Sequence, residues 1–217
     1  MKIGIIGSGD VGRALGRGLA AAGHQVKLGT RDPAQDKIKT WLAQAGAPVS
    51  VGTFAEAAAF GELVVFSVGW AHAEAIIRLA DPGNFSGKVV LDTTNPLRFE
   101  AEGKPPVLTV GHTDSAGEQV QRWLPKARVV KAFNIVGNVH MVNPAFPDGK
   151  PDMFICGNDA DAKRAVGGLI EQLGWPPAID LGTIDKARYL EPMAMVWITH
   201  LFNNGFNPNH AFKLLRK

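Results

Sequence analysis

The chain carries a single cysteine, Cys156, in 217 residues. One thiol excludes both an intramolecular disulfide and a cysteine metal cluster. Its place in the apolar segment Met153-Phe154-Ile155-Cys156 reads as a small buried hydrophobe rather than a nucleophile. Long apolar runs are missing too: no window approaches the roughly 18 consecutive apolar residues that a bilayer span requires, so no membrane role is expected. The N-terminus lacks the regions of a secretory signal, because Lys2 is followed by the strand-like Ile3-Gly4-Ile5-Ile6, and cytoplasmic residence is the expectation. There is no dense block of one charge. The formal net charge is +3, but the 23 Lys and Arg are scattered, which implies weak attraction for phosphates and no nucleic-acid binding. The six histidines show no metal-ligand spacing, and no serine, histidine and acid set is evident, so metal and nucleophilic chemistry are disfavoured. Internal repeats and low-complexity tracts are also absent.

What is present is the composition of an ordinary globular protein, 46% apolar and 20% charged. The length allows one domain, or one domain with a small appendage. Lys2 to Ile6 is a short apolar run, Asp10 to Ala22 places apolar residues at helical spacing, and Gln25 to Gly29 is again strand-like, which makes a β-α-β unit. The alternation continues with helices near residues 34–45, 54–60, 72–79 and 116–124, and strands near 48–51, 63–68, 89–91 and 129–132. Strands that alternate with helices predict a parallel sheet covered on both faces, because each parallel connection needs a crossover. After a Gly, Asn and Pro-rich stretch from Asn134 to Asp152, the pattern resumes with Met153 to Cys156, a helix over 160–173, a strand-like segment at 178–181 and a last helix over 185–201. The fold class is therefore α/β: a Rossmann-type, doubly wound, mostly parallel sheet over 1–149, with a small C-terminal α/β extension over 150–217.

Gly7-Ser8-Gly9-Asp10-Val11-Gly12 is a GxGxxG that follows a strand and opens a helix. Gly7 permits the tight turn, Gly9 lets a pyrophosphate approach the backbone, and Gly12 lets the helix pack on the strand. Free N–H groups at the helix start then meet the diphosphate. An NAD site would end the second strand with an acidic residue, which accepts from the ribose hydroxyls. Here that strand ends Leu28-Gly29-Thr30-Arg31, a hydroxyl and a planar cation suited to a 2′-phosphate. The cofactor expected is NADP(H), with Lys37 or Lys39 as a second cation. Asp32, followed by Pro33, is expected to cap the next helix.

Ligands of open α/β sheets bind beyond the carboxyl ends of the strands, near the reversal of strand order. Three later loops qualify. Ser67-Val68-Gly69-Trp70 follows the fourth strand, where Trp70 either covers a ribose or nicotinamide or serves packing. Thr94-Asn95-Pro96, within Asp92 to Pro96, follows the fifth and either reaches the nicotinamide or makes a plain turn. Asn134 ends the sixth, where its amide is placed to orient a ring.

Taken in order, the segments IGSGDVG, LGTRDP, SVGWAHA, TTNPL, RVVKAFN, ICGNDADAK and IDKARYLEPMAM resemble the NADPH-dependent oxidoreductases of the deazaflavin coenzyme F420. The same reductase fold appears in the cytosolic part of six-transmembrane ferrireductases, and the likeness runs over nearly the whole chain. The resemblance implies direct hydride transfer between NADPH and a flavin-like ring. The second ring would lie between the Rossmann domain and the C-terminal part, near Phe206 to Phe212, and the enzyme would be a homodimer. The deazaflavin enzymes usually carry a histidine in the segment that here reads Ala132-Phe133-Asn134, and asparagine is the form of the ferrireductase-like members, so F420, FMN and FAD all stand as the small-molecule acceptor. Two other readings are a pyrroline-carboxylate or imine reductase, which needs more than the roughly 70 residues after Gly149, and a non-catalytic NADPH sensor.

Overall fold

The computed structural model describes residues 1–46 and 48–215. Apolar runs with almost no polar interruption become the central strands: β1 (Lys2–Ile6), β4 (Leu63–Phe66), β5 (Val89–Asp92) and β8 (Arg128–Lys131). Their residues are buried on both faces, as parallel strands between two helical layers must be. With β2 (Gln25–Gly29), β3 (Val49–Gly52), β9 (Phe154–Gly157) and β10 (Ile179–Asp180) they form one eight-stranded sheet, in the order β10-β9-β8-β5-β4-β1-β2-β3. Within this sheet every described pairing is parallel except β8 with β9. The order reverses between β1 and β4, which puts the crevice of an α/β sheet beside the turn that follows β1.

One face is covered by α1 (Asp10–Ala21), α2 (Asp36–Ala45) and α6 (Ala160–Gln172), whose Leu15, Leu19, Ile38, Trp41, Val166 and Ile170 pack on Ile3, Ile5, Leu28 and Val65. The other is covered by α3 (Phe54–Phe60), α4 (Ala73–Leu79), α5 (Ala116–Trp123) and α7 (Ala187–Asn203), packed on Ile6, Val64, Phe66, Val90 and Val129. The segment after Gly149 contributes β9 and β10 to the same sheet and shares both core layers through α6 and α7. None of the described helices is long and apolar enough to cross a membrane.

Two details depart from the sequence reading. Asp32 does not cap α2: its Oδ1 accepts from the N–H of Ala34 at 2.9 Å, closing a turn, and α2 starts only after Gln35. A carboxylate that bonds two residues ahead folds the chain into a turn instead of a helix, and the helix then begins at Asp36, whose charge suits the first turn. The second is a small antiparallel hairpin, β6 (Leu97–Arg98) with β7 (Val107–Leu108), inserted between β5 and α5. Two-residue strands carry no periodic signal to read.

Helix α3 packs beneath β1 and β2, the strands that carry the glycine turn and Thr30. Its start is a capping box: Thr53 Oγ1 accepts from Glu56 N at 3.2 Å, and Glu56 Oε2 accepts from Thr53 N at 2.7 Å. Hydrogen bonding of the carboxylate to the Thr53 N–H, and then to its side chain, holds the Glu56 carboxyl below its ordinary pKa. Thr53→Ala removes the side-chain half of the box and should lower unfolding free energy by about 1 kcal/mol in urea titration, with the denaturant slope unchanged.

Candidate functional site

The turn after β1 is built by close backbone packing. Gly7 sits at φ +119°, and a Cβ placed there would lie 2.2 Å from the Ser67 carbonyl oxygen. A Cβ on Gly12 would lie 2.1 Å from the Gly7 carbonyl. Gly9 differs, because a Cβ there meets nothing within 4 Å. The first two glycines are required by the protein's own packing, whereas the space above Gly9 is open. Gly9 is also the N-cap of α1 and supplies no side-chain cap, so the first-turn N–H groups of that helix lack an internal side-chain acceptor. Asp10 does not fill the role, since its carboxylate is paired with Arg13 at 2.5 Å. Ser8 is half-buried and donates its hydroxyl to Thr30 Oγ1 at 3.0 Å, while Val11 packs on the core below. Open backbone donors and a glycine without a neighbour fit a diphosphate.

At the end of β2, Thr30 is buried and tied to Ser8, and Arg31 is exposed beside it. Of the two lysines, Lys39 pairs with Asp36 at 3.4 Å. Lys37 lines a cleft of about 360 Å³ between α1 and α2 with Arg13, Arg17 and Trp41.

The later strand ends converge on the other side of the reversal. Ser67 donates its hydroxyl to the Ile6 carbonyl at 3.3 Å, Val68 packs on the core, and Gly69 is exposed. Trp70 stacks on Trp123 of α5 with centroids 5.4 Å apart, so its indole is held by packing. After β5, Thr94 is buried and bonded through both N–H and hydroxyl to Asp92 Oδ1, at 2.9 and 2.8 Å. The Pro96 carbonyl accepts from Thr109 N–H and hydroxyl at 2.8 and 3.0 Å, joining this loop to the hairpin.

Asn95 and Asn134 face one another. Asn134 Nδ2 donates to Asn95 Oδ1 at 3.0 Å, and Asn95 Nδ2 donates to the Asn134 carbonyl at 2.8 Å. Asn134 Nδ2 also reaches the Leu190 carbonyl on α7 at 3.0 Å. Both amide hydrogens of Asn134 are therefore committed within the protein, and only Oδ1, buried without a partner, remains. The sequence reading had this amide free to orient a ring; the structure gives its donors to Asn95 and α7. Cys156 is sealed in the core, where burial pushes its thiol up to about 12, so it stays protonated as a packing residue should.

Sequence reasoning missed Lys131 and Glu191. Both are buried, with Lys131 between Asp92 and Glu191. A signal did exist for two of the three: the apolar strands VVLD and RVVK end in opposite charges, and Asp92 and Lys131 are register partners.

A parallel sheet reversing beside a glycine turn, with a helix start open to anions and a hydroxyl and guanidinium at the second strand's end, defines a Rossmann-type dinucleotide-binding protein. Residues 2–96 match the family described as NADP oxidoreductase, coenzyme F420-dependent. Over 206 residues the chain is 30% identical to the F420-dependent NADP reductase of Methanocaldococcus jannaschii, with 91% of each chain covered. Over 195 residues it is 31% identical to metalloreductase STEAP3 of Rattus norvegicus, covering 89% of this chain but only 36% of that protein, so it spans about a third of the metalloreductase's length. A solved structure from Arthrobacter sp. FB24, assigned as an F420-dependent NADP-reductase, superimposes over the full length of both chains with a TM-score of 0.93 and 40% identity. The chain belongs to the F420-dependent NADP oxidoreductase family.

The glycines separate binding from folding. Gly9→Val should keep the wild-type melting temperature and lose NADPH binding by calorimetry, because its branched side chain fills the open space over the helix start. Gly12→Ala should lower the melting temperature as well, since its Cβ collides with the Gly7 carbonyl. A Gly9→Val protein that binds NADPH normally would remove this turn from the site.

Proposed function

We propose that this protein transfers a hydride between NADP(H) and a flavin or deazaflavin acceptor, F420, FMN or FAD. The observation that carries the reading is the pairing of an open phosphate turn after β1 with a neutral amide floor, Asn95 on Asn134, at the ends of β5 and β8. The reduced nicotinamide supplies the hydride when bound. The protein's part is to hold two rings in contact distance and exclude water, which needs rigid neutral walls more than titrating groups. The backbone N–H groups of α1 bind the diphosphate. Thr30 and Arg31 take the 2′-phosphate, and the locked pair of Asn95 and Asn134 gives the ring end a fixed neutral wall. The acceptor side falls to the region 150–217, through α7, whose Leu190 carbonyl already contacts Asn134. The partner we propose for the exposed apolar side of α7, with Tyr189 67% and Val196 62% exposed, is a second copy of the chain.

Mixing the protein with NADPH and a panel of F420, FMN, FAD and a cyclic imine, and following the nicotinamide absorbance, tests the reading. Oxidation with a flavin or deazaflavin is the expected result. Oxidation with the imine alone would make it an imine reductase, and tight NADPH binding with no oxidation would make it a sensor.

Cofactor selection follows from the same geometry. NADPH should bind at least about tenfold tighter than NADH, roughly 1.4 kcal/mol, and Arg31→Ala should erase most of that difference while leaving NADH affinity nearly unchanged. Equal dissociation constants in the wild-type protein would refute the assignment of Thr30 and Arg31.

A further inference from the structure

Three charged side chains are sealed between the sheet and α7. Asp92 and Lys131 end β5 and β8 in register, Glu191 comes from α7, and their side chains are 0%, 0% and 1% exposed. Lys131 Nζ lies 2.7 Å from Asp92 Oδ2 in an ionic contact without hydrogen-bond angles, and 3.0 Å from Glu191 Oε1. It donates to the Thr94 carbonyl at 2.7 Å. Glu191 accepts in addition from the N–H groups of Ala116 and Gly117, at 2.9 and 3.0 Å, the first two residues of α5. One ammonium thus faces two carboxylates, and the excess negative charge rests on the donors of a helix start. Burial alone would lower the Lys131 pKa, but Asp92 and Glu191 outweigh it and hold the ammonium above its ordinary value.

Stability is a poor reason for such a network, since a buried ion pair can often be replaced by apolar groups without loss. Its distinctive property is what it connects. Thr94 has its N–H, its hydroxyl and its carbonyl all fixed, the first two by Asp92 and the third by Lys131. The next residue, Asn95, is locked to Asn134, and Asn134 to the carbonyl of Leu190, which precedes Glu191. The polar contacts therefore close a ring: Thr94, Asn95, Asn134, Leu190, Glu191, Lys131 and back to Thr94. Thr94, Asn95 and Asn134 lie in loops that the hydride-transfer reading places at the rings, Lys131 ends β8, and Leu190 and Glu191 are neighbours in α7.

We propose that Lys131 is a positioning residue for hydride transfer: held by Asp92 and Glu191, it fixes the Thr94–Asn95–Pro96 loop on the nicotinamide side against α7 on the acceptor side. The proposal rests on the hydride-transfer reading above. It separates affinity from geometry, because the phosphates that dominate binding lie at β1 and β2, away from the network.

Two variants test it. Lys131→Met leaves two carboxylates face to face and is liable to unfold, so Asp92→Asn/Lys131→Met/Glu191→Gln, which removes all three charges, accompanies it. Three quantities are measured: the dissociation constant of 2′,5′-ADP, which carries the 2′-phosphate but no nicotinamide; the fluorescence anisotropy of bound NADPH; and the single-turnover rate of hydride transfer. In the triple variant the 2′,5′-ADP constant should stay within about twofold of wild type. The bound nicotinamide should lose anisotropy, and hydride transfer should fall about a hundredfold even at an unchanged melting temperature. A folded variant with wild-type anisotropy and a transfer rate within about threefold of wild type overturns the proposal and leaves Lys131 a packing residue. If wild-type protein binds NADPH and reduces no acceptor, the hydride-transfer reading fails by itself, and the anisotropy still decides whether Lys131 orders the ring.

Discussion

One ammonium with no route to water stands where three separately formed pieces of the chain meet, at the ends of β5 and β8 and on α7. Leaving a buried charge without its partner costs about 3–5 kcal/mol, a large share of the roughly 5–15 kcal/mol that keeps a domain folded. The three pieces are therefore energetically coupled while the charges are present. Register is pinned by the same contact, because sliding β8 by one residue against β5 would send Lys131 to the opposite face and into apolar side chains. Helix α7 is held by Glu191, which caps α5 from outside, and by the bidentate pair of Arg188 with Glu118, at 2.8 and 2.5 Å.

With the sheet so fixed, the two halves of the candidate site are built from different materials. The phosphate half is backbone: a turn so tightly packed that Gly7 and Gly12 have no room for a Cβ, next to Gly9, which has nothing but room. The ring half is side-chain amide and hydroxyl, with both amide hydrogens of Asn134 assigned inside the protein and its Oδ1 left over. Backbone donors recognise charge without needing any particular side chain, and a preformed amide floor limits orientation without adding charge. A site divided in this way can bind tightly at one end and be exacting about geometry at the other.

The glycine turn and its flanking strand and helix were legible in the sequence because their signals are local. A strand run, three glycines at fixed offsets and a helical period lie within residues 2–21, and β1 and α1 match that reading closely. The place of Thr30 and Arg31 just after β2 was legible for the same reason. The ring half was only partly so. Asn95 and Asn134 were found as strand-end residues, but their partnership spans 39 positions, and a pattern along the chain does not show which amide faces which. Lys131 read as part of a strand and Glu191 as one more polar residue on a helix, since each acquires meaning only when the other arrives. Asp32 failed for a different reason: a carboxylate before proline suits both a helix cap and a turn, and only the actual path of the chain selects the turn.

The residue before Asn134 shows how firmly that end is determined. Phe133 is buried and sits at φ +60°, a left-handed conformation that bulky side chains avoid. Such a residue costs on the order of 1–3 kcal/mol and persists only where its surroundings leave no alternative. Here its ring meets Trp175 edge-on with centroids 6.1 Å apart, its N–H points to Met153 Sδ at 3.3 Å, and the Trp175 indole is itself held by the Met141 carbonyl at 2.9 Å. A relaxed backbone at Phe133 would turn the following peptide and break the bonds that join Asn134 to Asn95 and to Leu190. The core thus sustains a strained turn whose one visible consequence is the direction of an amide, and strain held at that position is what a site needing a fixed ring geometry would require.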